Sequence, residues 1–129
     1  MYEARFTRQF VRATRKADQE ALKAACREIL ADPYHARGSE PLSYQWAGFR
    51  AADFTRRDRI IFRICEECKR EHQQDLNALD CCGDPASPSN VVWFVHFGDY
   101  HASAGRRRIS PPRAYDIAPG DRSALGGDE

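Results

Sequence analysis

Five arginines, Arg50, Arg56, Arg57, Arg59 and Arg63, fall within the stretch GFRAADFTRRDRIIFRI, residues 48 to 64. A guanidinium presents a rigid fork of donors that matches two phosphate oxygens at once. Two strand-like runs carry these arginines. One side of the runs is apolar and suits a core; the other could grip a phosphate chain. His101 follows a later apolar run, and a histidine titrates in the range needed for proton transfer near neutral pH. The plainer readings stand beside these. Arg59 can simply pair with Asp53 or Asp58 at the rim of a hairpin, a contact of small energy when exposed. His101 can be an ordinary loop histidine, and Tyr100 a packing residue. His96, inside an apolar strand, reads as structural rather than catalytic.

The cysteines form a second cluster. CEEC places Cys65 and Cys68 three positions apart, and the adjacent pair Cys81 and Cys82 follows, with His72 between. Four thiols and an imidazole are enough for a tetrahedral structural zinc, although adjacent cysteines fit one ion poorly and Cys65 falls in a strand pattern. Free thiols are the alternative. The count of five is odd, and the opening MYEARFTRQF has no apolar segment of the secretory kind, which argues against a disulfide framework and for the cytoplasm. Cys26 is spaced like a core residue of a helix.

These residues have to be held by one small domain. The chain has 129 residues, 42% of them hydrophobic and 30% charged, the composition of a globular protein with a modest core. Its longest apolar run, VVWFV, is too short to span a bilayer. The net charge is only +1, but it is unevenly spread: residues 1–63 hold 13 Lys and Arg against 8 Asp and Glu, and residues 64–129 hold 7 against 11. The halves are therefore +5 and −4, which fits a basic face with an acidic appendage and equally an ordinary solvated surface.

Periodicity predicts the elements. YEARF alternates as a half-buried strand. Thr7 can cap a short helix with Phe10, Val11 and Thr14 on one face and Arg8, Arg12, Arg15 and Lys16 outside. Those four read as a solvated face with a possible second use against RNA backbone. Asp18 can cap a second helix over QEALKAACREIL, ended by Asp32-Pro33. GSEPLSYQWAG reads as a loop leading to a second strand over Phe49–Phe54. The turn TRRD leads to a third strand, RIIFRIC. In it Ile60, Phe62 and Ile64 face the core while Arg59, Ile61 and Arg63 face away. Val91–Phe97, apolar on both faces, suits a central strand. Residues 66–90 form an insertion with a possible helix over Asp75–Leu79, and a flexible tail is expected over 103–129.

Strand, two helices and a three-stranded run with arginines at its hairpin resemble the RelE/ParE toxin superfamily, the effectors of type II toxin-antitoxin pairs. The matching pieces are YEARFTRQFVR, ILADPY, WAGFRAADFTRRDRIIFRI and VVWFVHFGDYH, covering residues 2–65 and 91–101. The resemblance implies an α+β domain over residues 1–102: two N-terminal helices on a small twisted antiparallel sheet in the order β-α-α-β-β-β. It implies a cytoplasmic mRNA endonuclease that acts on the ribosome, is held in check by a cognate antitoxin, and needs neither metal nor cofactor. Arg59 matches the arginine that opens the third strand of such nucleases, Arg50 a basic position of the second strand, and His101 the C-terminal histidine of the YoeB-like branch. Tyr100 would orient substrate, and Arg56, Arg57, Arg63, Arg106 and Arg107 would contact RNA. That branch ends Tyr-His-Tyr where this chain reads Tyr100-His101-Ala102, so one stacking aromatic is missing. The ParE branch inhibits DNA gyrase instead, and an inactive homologue acting through antitoxin binding is the other alternative.

Overall fold

A computed structural model describes residues 2–42, 46, 48–71 and 88–98. The expectations for Tyr100, His101, Arg106, Arg107, His72, Cys81, Cys82, the helix over 75–79 and the tail lie outside these residues. In chain order the elements are β1 (Glu3–Phe6), α1 (Arg8–Ala13), α2 (Gln19–Ala31), a 3-10 turn (Ala36–Gly38), β2 (Glu40–Pro41), β3 (Arg50–Asp53), β4 (Arg59–Ile64), α3 (Cys65–Glu71) and β5 (Val91–Gly98). Among these, no helix is long and apolar enough to cross a membrane.

The α+β class is as the residues predict, and both helix starts are made as their caps require. Thr7 accepts from the Phe10 amide, and Asp18 accepts from Glu20 and Ala21. The strands form one sheet in the order β1-β5-β4-β3-β2. Three neighbouring pairs are antiparallel, but β1 runs parallel to β5, with Glu3 beside Val91 and Phe6 beside Phe94. The sheet is thus mixed rather than wholly antiparallel. A parallel neighbour requires a long crossover, and α1, α2, β2–β4 and α3 together supply it.

Two further details differ from the sequence reading. The supposed loop contributes the short edge strand β2, whose Glu40 and Pro41 pair with Ala51 and Arg50. Cys65 does not continue β4 but opens α3, where an acidic first turn, Glu66 and Glu67, suits a helix N-terminus.

Burial occupies both faces of the sheet. Phe6, Phe10, Leu22, Ala25, Ile29, Ile60, Phe62, Ile64, Val92 and Phe94 form the core under α1 and α2. Trp46, Phe49, Ala51, Ile61, Cys65, Cys68, Val91, Trp93 and Val95 form a second core on the other face. The alternation read from β4 is therefore right, yet its second side is covered too: all six residues of β4 are buried. The expectation of an open arginine face is corrected here, because the Trp46 segment and α3 roof it.

Thr7 joins the layers. Its amide donates to the Phe94 carbonyl at 3.1 Å and its hydroxyl donates to the Val95 carbonyl at 3.0 Å, while the same oxygen caps α1. Thr7→Val keeps the volume and removes both hydroxyl bonds from a fully buried position. We expect it to cost about 1–2 kcal/mol, read from urea unfolding midpoints at constant slope.

Candidate functional site

Arg59 opens β4 opposite Asp53 of β3 and Gly98 of β5. Only 5% of the residue is exposed. Its Nη1 donates to Glu40 Oε2 at 2.7 Å and its Nη2 to the Ala51 carbonyl at 3.5 Å. Its Nε lies 3.1 Å from Asp53 Oδ1 without hydrogen-bond alignment, so that contact is Coulombic. The pairing with Asp53 is the plainer of the two readings of this residue, and Glu40 adds to it. The two carboxylates are themselves largely exposed, 56% for Glu40 and 64% for Asp53. A guanidinium buried against exposed carboxylates can exchange them for phosphate oxygens without moving its own backbone, since the swinging groups are on the solvent side.

Arg50 is placed elsewhere. It sits at the other end of β3, opposite Phe62, on the face that carries α1 and α2. Its Nε and Nη2 grip both oxygens of Glu67 at 3.1 and 3.2 Å, Nη1 reaches the Ser39 hydroxyl at 3.2 Å, and the guanidinium lies 5.1 Å from the Tyr34 ring centroid. Both partners of this ion pair are mostly buried. The structure therefore does not bring Arg50 together with Arg59: they lie on opposite faces and opposite ends of their strands. Arg50 instead ties β3 to α3.

Arg63 shares the Arg59 face but is fully buried, with Nε donating to the Gly48 carbonyl at 3.3 Å and the guanidinium 4.0 Å above the Phe49 ring. The flat cation stacked on an aromatic is a packing element in this position, which corrects the expectation that it meets RNA. Arg56 and Arg57 are exposed in the β3–β4 loop, which the Thr55 hydroxyl organises by accepting from the Arg57 and Asp58 amides. Arg8, Arg12, Arg15 and Lys16 are exposed along α1 and its end. Cys65 and Cys68 are buried in the second core, and no group of three or more metal-binding side chains occurs among the described residues. Cys26 is buried as its spacing predicts, and burial pushes its thiol up to about 12.

The sequence reading missed Glu40, Ser39 and Glu67. None is close in sequence to the arginine it holds, and no periodicity links them. It also set His96 aside. This imidazole receives the Gln9 amide at 3.0 Å on Nδ1 and lies 6.1 Å from the Trp46 ring, and burial lowers its pKa to about 4.

Two expectations follow. Arg50→Met or Glu67→Gln leaves one buried charge unpartnered and lowers stability by about 3 kcal/mol, whereas the double change Arg50→Met/Glu67→Met recovers most of that in a double-mutant cycle. The depressed His96 pKa means that the unfolded chain binds a proton first as pH falls. Stability contributed above pH 6.5 is then lost progressively down to about pH 4, and His96→Phe removes this component from the unfolding-versus-pH curve.

No family model matches the sequence, and no curated protein is significantly similar to it. Among solved structures the chain is similar to the crystal structure of YafQ from E. coli, with a TM-score of 0.52 and 16% identity over 79% of this chain and 97% of that one. A histidine-to-glutamine variant of YafQ matches at a TM-score of 0.49 and 14% identity over 79% and 97%. The toxin-antitoxin complex RelBE2 from Mycobacterium tuberculosis matches at 0.44 and 21% identity over 76% and 96%. Only the first superposes closely enough to bear weight, and at its identity what is shared is the fold. The chain shares the fold of YafQ.

Proposed function

We propose that this chain is the toxin of a toxin-antitoxin pair and cuts mRNA on the ribosome without a metal. The observation that carries the reading is Arg59, a guanidinium fixed at the start of β4 in a YafQ-type fold, with its fork facing two exposed carboxylates. Cleavage of RNA by its own 2′-hydroxyl needs a group that takes the 2′-proton, a cation that stabilises the pentacoordinate phosphorus, and an acid that protonates the departing 5′-oxygen. Arg59 supplies the cation. His101 transfers the proton and Tyr100 orients the substrate. Arg56, Arg57, Arg106 and Arg107 hold flanking phosphates, the contacts that make such binding salt-dependent. A cognate antitoxin and a cytoplasmic location belong to the same proposal, since an unrestrained nuclease of this kind would destroy the messages of its host.

A second reading is favoured by one specific observation. In the free chain the Arg59 fork is already filled by Glu40, Asp53 and the Ala51 carbonyl. A protein that never binds phosphate there, such as a gyrase inhibitor or an inactive homologue acting through its antitoxin, would show the same contacts.

Mapping of new mRNA 5′ ends after brief expression without antitoxin separates the readings. Cuts inside translated codons that disappear with Arg59→Ala and with His101→Ala support the nuclease. Arrested growth with no new ends would point to gyrase. In vitro, Glu40→Gln and Asp53→Asn free the fork, and each is expected to tighten binding of a short 2′-O-methyl RNA severalfold, roughly the worth of one exposed ion pair. Unchanged affinity in both would mean that the RNA does not use Arg59.

A further inference from the structure

Strand β5 carries one irregularity. Between the Ile61–His96 and Phe62–Phe94 pairs the register slips, which leaves Val95 as the additional residue. Trp93 and Val95 belong to the second core, so strict alternation would send His96 under α1 and α2. The bulge returns it instead to the Arg59 face, opposite Ile61 and near Trp46. Thr7 holds the bulge in place through the Phe94 and Val95 carbonyls.

The imidazole is oriented through one ring nitrogen. Gln9 Nε2 donates to Nδ1, which leaves the ring proton of the neutral form on Nε2. That Nε2 stands 4.0 Å from where a Cβ on Gly98 would lie, the nearest atom to that point among the described residues other than the chain neighbours of Gly98. Gly98 is directly opposite Arg59 and has a φ of +143°, a conformation that L side chains rarely adopt. His96 and Arg59 are therefore diagonal neighbours on one face, roughly 7 Å apart at Cβ, and position 98 places no side chain between them.

We infer that His96 is a second contact for the anion held by Arg59: its Nε2–H donates to a phosphate oxygen seated over Gly98, and Gln9 is the positioning residue that keeps the proton on Nε2. This rests on the RNA-cleaving reading and assigns part of the same site to a residue that a purely structural role would leave silent.

The test is nitrogen-detected NMR on the full chain labelled in histidine and arginine, titrated with a 2′-O-methyl RNA trinucleotide. The free protein is expected to show His96 as the Nε2–H tautomer, and the trinucleotide to move the His96 Nε2 and Arg59 Nε resonances with one dissociation constant. His96→Leu and Gly98→Ala should each weaken binding about tenfold or more, as for a lost hydrogen bond to a charged group. His96→Gln, which keeps a donor, should recover part of it. Gln9→Ala should shift the tautomer ratio. If the trinucleotide moves Arg59 but leaves His96 still, the inference is overturned and the nuclease reading stands. If it moves neither residue in the wild-type chain, both are overturned.

Discussion

The fold depends on β5 having neighbours on both edges and cover on both faces. Its parallel pairing with β1 and its antiparallel pairing with β4 cover both edges along Val92–Phe94, and its side chains feed both cores. Such a strand can be apolar throughout, as VVWFV is. Because β1 is the first element and β5 the last described one, the sheet closes only when the ends of the domain meet. Thr7 sits at that meeting point and binds the carbonyls where β1 stops and β5 continues, so the entry to α1 and the shape of β5 are set by one residue.

The same closure explains why some features were legible in the sequence and others were not. Local signals worked: Thr7 and Asp18 as caps, the helical spacing of Leu22, Ala25 and Ile29, the period-two alternation of Ile60, Phe62 and Ile64, and the doubly apolar β5. Each is settled within a few residues. What failed to show was set by partners distant in sequence. Nothing near Arg63 announces that Phe49 and Gly48 will enclose it, and nothing near Arg50 announces Glu67. The parallel direction of β1 depends on a strand 85 residues later and leaves no local trace, and neither does the single-residue bulge that sets the side of His96.

Burial sorts the five arginines of one short stretch into different tasks. Arg63 is stacked into a core, Arg50 is locked in a bidentate pair, Arg59 is buried beneath exposed anionic partners, and Arg56 and Arg57 are exposed. A count of basic residues treats them alike. The cost of burying a guanidinium makes them different, since each enclosed one must bring a carboxylate, a carbonyl or an aromatic face with it. The positions of Glu40, Asp53, Glu67 and Phe49 are thus as informative about this region as the arginines.

The Arg50–Glu67 pair also bears on how the protein tolerates change in length. It anchors α3 to the sheet, while the Glu3 amide, bonded to the Asn90 carbonyl at 2.8 Å, anchors the start of β5. The two ends of the connection between α3 and β5 are therefore each tied to the sheet by contacts of their own. Closing a longer flexible connection costs only about 0.6 kcal/mol per doubling of its length. Among the connections of this sheet, that one is the natural place for lineages to add or remove sequence, and for an engineer to graft a reporter.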